Sequence, residues 1–347
     1  MSANIRDVAK AAGVSASTVS RSFSLDGSVS DATRQRIAAE AKRLNYHPNT
    51  AAQRLVTGRS GNLGLIVPDL LNPFFADVAK GMQARAREAR NAVFISDTGE
   101  NVRLELDAVR SLSNQVDGLI LCSPRMSDDE LLELRALGPV VLLERRAPGM
   151  TSVSADLASG IGQAVANLQA LGHVRVAYVP GPRGSWSEAE HWRGLTAIVE
   201  ETGLDLVILG NVRAYFEGGF AAGDVLLASG ATAVIAYNDI VALGLLSRLA
   251  VRGVRVPDEM SVVGYDDIAT SLMASPPLTT VAVPKAEAAR AAVDLLLEMI
   301  EQPDREVVEC VLPTHLLVRG TTAVPSSREI AASSGQRPPE SRAALTG

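Results

Sequence analysis

Cysteine, histidine and aromatic side chains are all scarce in this 347-residue sequence, and each scarcity removes a class of function. The two cysteines, Cys122 and Cys310, each sit inside an apolar run. They read as buried, reduced thiols of a cytosolic protein rather than a disulfide framework. The four histidines, His47, His173, His191 and His315, show no metal-ligand spacing, so no metal is expected. No apolar stretch approaches a membrane-spanning length, and the start Met1-Ser2-Ala3-Asn4 lacks a secretory apolar run, so a cytoplasmic protein is expected. No Walker loop or dinucleotide fingerprint occurs. The one Gly-rich turn between a strand and a helix, Gly181-Pro182-Arg183-Gly184, loses at Pro182 an amide that a phosphate would use. No Ser/His/Asp or Cys/His set has motif support either. Neither an enzyme nor a cofactor is expected.

Charge is present but unevenly spread. Residues 1–60 carry nine Lys or Arg against four acids, and the remainder carries 24 against 35. A basic head on an acidic body is the footprint of a protein whose head alone meets nucleic acid. The body alternates short apolar runs with helix-length segments. Strands are predicted at 63–68, 92–96, 118–122, 140–143, 175–180, 205–209, 233–237 and 261–265, and helices at 73–90, 156–171, 186–201 and 239–251. Such alternation predicts βαβ units with buried parallel strands. There are too many strands for one compact sheet, so two doubly wound α/β halves are expected, with ligands in the cleft at the strands' carboxyl ends.

The head predicts three short helices over residues 1–46. Asn4 caps the first, with Ile5, Val8, Ala9 and Ala12 on one face. Gly13 supplies the left-handed turn that ends it, and Ser15 caps a second helix with Val19 and Phe23 on its apolar side. Ser30 caps a third, closed by Ile37, Ala41 and Leu44. This is the recipe for a helix-turn-helix, whose second helix enters the major groove. Ala16, Ser17, Ser20 and Arg21 fall on its outer face, where Arg21 suits a guanine edge or a phosphate equally.

Asp7-Val8-Ala9, Ala12-Gly13-Val14-Ser15, Thr18-Val19-Ser20-Arg21, Val29-Ser30, Thr33-Arg34, Leu44-Asn45-Tyr46 and Pro48-Asn49 together resemble the headpiece of the lactose/galactose repressor (LacI/GalR) family. The resemblance implies a sequence-specific transcriptional regulator, acting as a homodimer on a near-palindromic operator under a small-molecule effector. It implies DNA contacts from Ala16, Ser17, Thr18, Ser20, Arg21, Ser30, Thr33, Asn49, Ala52 and Leu55. Residues 47–61 would be a hinge, with Leu55 wedged into the minor groove. The other reading of Leu55 is packing on the body.

The resemblance extends to about residue 322 and implies a sensor similar to periplasmic sugar-binding proteins, residues 62–322, with chain crossings near 155, 282 and 312. Residues 323–347 read as a disordered tail. Asn72, Phe74, Phe75, Ser123, Arg145, His191, Asn238, Asp239 and Asp266 fall where the cleft is expected, and are the candidate effector residues. Phe74 and Phe75 suit ring stacking or the core, and Asp239 suits a ligand or its own helix cap. Three departures from the family pattern stand out. Glu144 precedes Arg145 where sugar binders often carry Asp, and Ala214 stands where an aromatic is common, with Tyr215 and Phe216 as substitutes. His191 stands where Arg is common, so an anionic effector is disfavoured unless Arg193 or Arg145 reaches in. A sugar is the expected effector, with a nucleobase or nucleoside as the alternative. A soluble sugar-binding protein is the other class, and the headpiece argues against it.

Overall fold

A computed structural model of the chain describes residues 3–23, 29–46 and 59–326. Three helices begin it: α1 (Ile5–Ala12), α2 (Ala16–Ser22) and α3 (Asp31–Arg43). Asn4 and Asp7 form a reciprocal capping box on α1, which satisfies amides that helix geometry leaves orphaned. Gly13 ends the helix at φ 65°, where a Cβ is disfavoured, and turns the chain into α2. Val8, Val19 and Ile37, all fully buried, bring the three helices together, with Ala9 and Ala12 letting them approach closely.

The body is two six-stranded sheets. The first holds β1 (Asn62–Val67), β2 (Ala92–Asp97), β3 (Gly118–Cys122), β4 (Val140–Leu143), β5 (Ser152–Ala155) and β11 (Glu309–Leu312), in the order β11-β5-β4-β3-β1-β2. Helices α4 (Pro73–Glu88), α5 (Val102–Ser113) and α6 (Asp128–Glu133) connect its strands. The second sheet holds β6 (Arg175–Val179), β7 (Asp205–Ile208), β8 (Ala233–Ala236), β9 (Ser261–Asp266), β10 (Thr279–Ala282) and β12 (His315–Leu317), in the order β12-β10-β9-β8-β6-β7. Its helices are α7 (Leu157–Ala170), α8 (Trp186–Thr202), α9 (Phe216–Ala228), α10 (Asp239–Val251) and α11 (Ala269–Met273). Helix α12 (Lys285–Glu301) returns to the first half and packs on α4. Every strand pair is parallel except β10 with β12. Of the apolar runs predicted as strands, β1, β3, β4, β6, β8 and β9 are central strands, buried along nearly their whole length because helices cover both sides, while β2 and β7 are edge strands and partly exposed.

Both sheets share one winding, in which the first strand of each half sits between the second and the third. That arrangement leaves a crevice at the carboxyl ends of the strands where the winding reverses direction. The chain passes between the halves three times, after Ala155, Ala282 and Leu312. Arg146 ties them further, 2.9 Å from Glu190 of α8 and stacked on Trp186.

Three expectations need adjusting. Residues 323–326 are bonded to the body: His173 holds the Ala323 carbonyl and Ser326 reaches the Asp258 carbonyl, so the chain stays attached past residue 322. Cys310 is only half-buried, because β11 is an edge strand, whereas Cys122 is buried, and both are free thiols. The sequence also offers apolar faces of the first half, the 74–90 helix among them, as a dimer surface, but the apolar residues of α4 (Phe74, Phe75, Val78 and Met82) face the core and its exposed surface is mostly polar.

Candidate functional site

On the headpiece, Ser17 and Arg21 are exposed, while Ala16, Thr18 and Ser20 are half-buried at the start and flank of α2. The Ser15 hydroxyl accepts from the Thr18 amide and lies 2.7 Å from the Ser17 hydroxyl, fixing the first turn. Ser30 does the same for α3 through Thr33. The α2 N-terminus therefore presents short polar side chains and oriented amides beside a guanidinium, which suits phosphate oxygens and base edges. Asn49, Ala52 and Leu55 lie outside the described residues.

Between the two halves lies a narrow cleft with a cavity volume of about 50 Å³. The loops at the strand ends supply its walls. The first half contributes Asn72, Phe74, Phe75, Glu100, Ser123, Arg125 and Glu144, and the second contributes His191, Tyr237, Asn238, Tyr265 and Asp266. Asn72 and Asn238 each cap the helix that follows, so their side-chain oxygens are committed to backbone amides and their NH₂ groups remain to donate. Phe74 and Phe75 meet edge to face at 5.2 Å, buried yet lining the wall, so one position serves both core and cleft. Glu100, Ser123, Glu144 and Asp266 all have positive φ, a conformation that side chains resist and that concentrates where function imposes it.

Electrostatics single out a few groups. Glu144 is buried; its Oε2 accepts from the Ala155 amide and its Oε1 has no partner. Desolvation raises its pKa to about 7. His191 is buried under Tyr265, 4.4 Å between ring centres, and desolvation lowers its pKa to about 3, so it is neutral. The Tyr178 hydroxyl donates to Glu188 and lies 3.3 Å from His191 Nδ1. With its proton given to Glu188, that oxygen accepts from Nδ1–H, which leaves Nε2 as an acceptor without a partner. Burial beside Asp239 also raises the pKa of Asp266. Arg125 is committed to Glu100 and to the Ser123 carbonyl.

The chain matches two described families: "Bacterial regulatory proteins, lacI family" over residues 4–49, and a periplasmic binding protein-like domain over residues 165–322. It is 32% identical to the HTH-type transcriptional regulator DegA of Bacillus subtilis, over 93% of this chain and 99% of that one. The chain belongs to the lacI family of bacterial regulators. The structure of the Lac repressor dimer bound to operator and the anti-inducer ONPF superposes with a TM-score of 0.83 at 29% identity, covering 93% of this chain and all of that chain. A LacI family regulator from Enterococcus faecium with bound ribose matches with a TM-score of 0.68 at 27% identity, over 76% of this chain and 99% of that one.

A lacI-family regulator binds DNA sequence-specifically and changes its affinity when a small molecule occupies the sensor. Of the candidate effector residues in this lacI-family chain, the fold brings Asn72, Phe74, Phe75, Ser123, His191, Asn238 and Asp266 together at one cleft. Two stand apart. Arg145 turns away from the cleft, held by the Met126 carbonyl and by Asp128 at 2.6 Å. Asp239 is fully buried and neither caps its helix nor faces the cleft. It accepts from the Ile268 amide, Ser271 and Thr280, pinning the loop after β9. The cleft's own arginine is Arg125, which sequence reasoning passed over together with Glu100, Tyr237 and Tyr265. A charged residue three positions beyond a buried parallel strand was the available signal for Arg125.

Arg21→Ala should lower operator affinity by about 1–3 kcal/mol if Arg21 reads a base, with preference relaxed at one base pair. If it holds a phosphate, affinity falls evenly across sequences and the salt slope drops by about one. Fluorescence anisotropy against a set of single-base operator variants at several salt concentrations separates the two.

Proposed function

We propose that this chain is a cytoplasmic, homodimeric repressor whose operator affinity is set by a small sugar held in the cleft. The proposal divides it into a headpiece (1–46), a hinge (47–61), a sensor (62–322) and a tail. The observation that carries the effector reading is the cleft itself. Its uncommitted polar groups, namely two asparagine amides, a buried carboxylate and a neutral imidazole, line an aromatic wall and suit a polyhydroxylated ring. With Arg125 already paired and His191 neutral, no free cation remains among these residues to hold a phosphate or carboxylate. Support for a sugar also comes from the ribose bound in the Enterococcus faecium regulator.

Support for the homodimer comes from the dimeric Lac repressor and from an apolar groove lined by Phe216, Leu243, Leu246 and Met273, with Leu272 and Met273 at 60% and 78% exposure. A second copy is its proposed occupant, and two-fold symmetry would impose a near-palindromic operator. The effector biases the relative orientation of the halves, the operator prefers one spacing of the paired hinges, and the two ligands are coupled reciprocally.

A thermal-shift screen of neutral sugars, sugar phosphates, nucleosides and purines tests the effector reading. A sugar at a hundred times its dissociation constant should add roughly 2.7 kcal/mol of stability. Stabilisation by purines alone would replace the sugar with a nucleobase. Leu55→Ala should weaken operator binding and leave effector binding intact. Unchanged operator affinity would remove the wedge role.

A further inference from the structure

The cleft holds more carboxyl groups than the cations beside it can pair. Glu100 is answered by Arg125. Glu144 and Asp266 have no such answer: neither carboxylate makes an ion pair among the described residues, and they face one another's field. The nearby cation, Lys285 of α12, directs its Nζ to the backbone carbonyls of Asp266 and Asp267, at 2.5 and 2.8 Å, so it acts on the Asp266 carboxylate through its charge and not through an ion pair. Two unpartnered atoms, Glu144 Oε1 and His191 Nε2, belong to side chains that are 4% and 2% exposed and line this cleft. His191 Nε2 is an acceptor, and Glu144 Oε1 becomes one when the carboxyl ionises. A donor-rich cation completes such a site, and among the described residues none makes an ion pair with either carboxyl group.

We propose that the effector is an amino sugar, whose ammonium group is received by Glu144 and Asp266 with His191 Nε2 accepting from a neighbouring donor. This rests on the sugar reading above and names its class. An ammonium brings three donors and a compensating charge, while the ring hydroxyls meet the NH₂ groups of Asn72 and Asn238. Binding converts Glu144 from its protonated to its ionised form, because the ammonium removes the cause that favours the neutral acid. Other groups facing Glu144 leave this direction unchanged: Cys122 and Tyr265 are buried and hold their protons, His191 is neutral, and Asp266 adds to the negative field.

Calorimetric titration of the full chain near pH 6, in two buffers of different ionisation enthalpy, tests the proposal. The probes are hexosamines (glucosamine, galactosamine and mannosamine), their N-acetyl forms and the parent hexoses. Some hexosamine is expected to bind at least about tenfold more tightly than its acetylated and parent forms, the difference one charged hydrogen bond makes. Its binding heat should depend on the buffer, showing proton release. Glu144→Gln, an isosteric change, should remove both the preference and the proton release. A parent hexose that binds as tightly as its hexosamine overturns the proposal and leaves the sugar reading standing. If neither amino nor neutral sugars bind, both fall.

Discussion

Gly244→Val is expected to prevent the second half of the sensor from folding. Helices α9 and α10 touch through their backbones at two glycines. A Cβ at Gly244 would lie 2.1 Å from the Phe216 carbonyl oxygen and 2.7 Å from the Phe220 nitrogen, and one at Gly219 would lie 2.0 Å from the Val241 carbonyl oxygen. Main-chain atoms cannot rotate away, so the helices must separate. Ala222, Leu226, Val241 and Leu245, all buried at this contact, then lose their packing. Overpacking of this kind ordinarily costs about 1–3 kcal/mol, and a backbone obstacle on a fully packed pair should exceed about 4 kcal/mol. Gly210→Ala is the control, since no atom lies within 4 Å of its Cβ. Chemical denaturation should show Gly244→Val unfolded or lacking its second-half transition, and Gly210→Ala close to wild type. A wild-type midpoint for Gly244→Val would remove the contact from the account.

The second large effect is pH-dependent. Glu144→Gln should raise stability above neutral pH and leave it unchanged in mild acid. Glu144 titrates at about 7 in the folded chain against an ordinary 4.5, so the native state holds the extra proton between those values. Stability is therefore complete below about pH 4.5, declines as pH rises, and reaches its full deficit above about 7. That deficit approaches about 3 kcal/mol for a side chain this buried. For a domain of this size it corresponds to roughly 5–10 °C in Tm. Asp239, raised to about 6 by burial, adds a slope of the same sign that the variant retains. Melting curves across that range should show the two proteins converging in acid and diverging in base. Parallel curves would mean that Glu144 is solvated in the folded state.

Much of the fold was legible because its central strands are short and apolar on both faces. Gly118–Cys122 and Val140–Leu143 have the same limits in the sequence reading and in the structure. The connecting strands were harder. In β11, Glu309 and Val311 are exposed while Cys310 and Leu312 are half-buried, so an edge strand carries too weak a pattern to stand out. The headpiece was legible from its caps, because Asn4, Ser15 and Ser30 each satisfy a local amide and Gly13 has local geometry. Cleft positions were legible where a residue follows the end of its own strand, as for Ser123 and Asp266, and His191, inside α8, was placed by the family resemblance alone. They were not legible where distant partners decide. Asp239 is claimed by Ser271 and Thr280, 32 and 41 residues away, and Arg145 by Asp128. Arg125 became the cleft arginine only once the loop after β2 brought Glu100 beside it.

The central claim is that one chain couples an occupied cleft to a DNA sequence. The direct measurement is selection of duplexes from a random pool by the full-length protein, followed by the affinity of the recovered site with and without the sugars that stabilise the protein. The account predicts a near-palindromic recovered sequence whose affinity changes by about 5- to 150-fold when such a sugar is present. An enriched sequence whose affinity no stabilising ligand alters, or no enriched sequence at all, would contradict it.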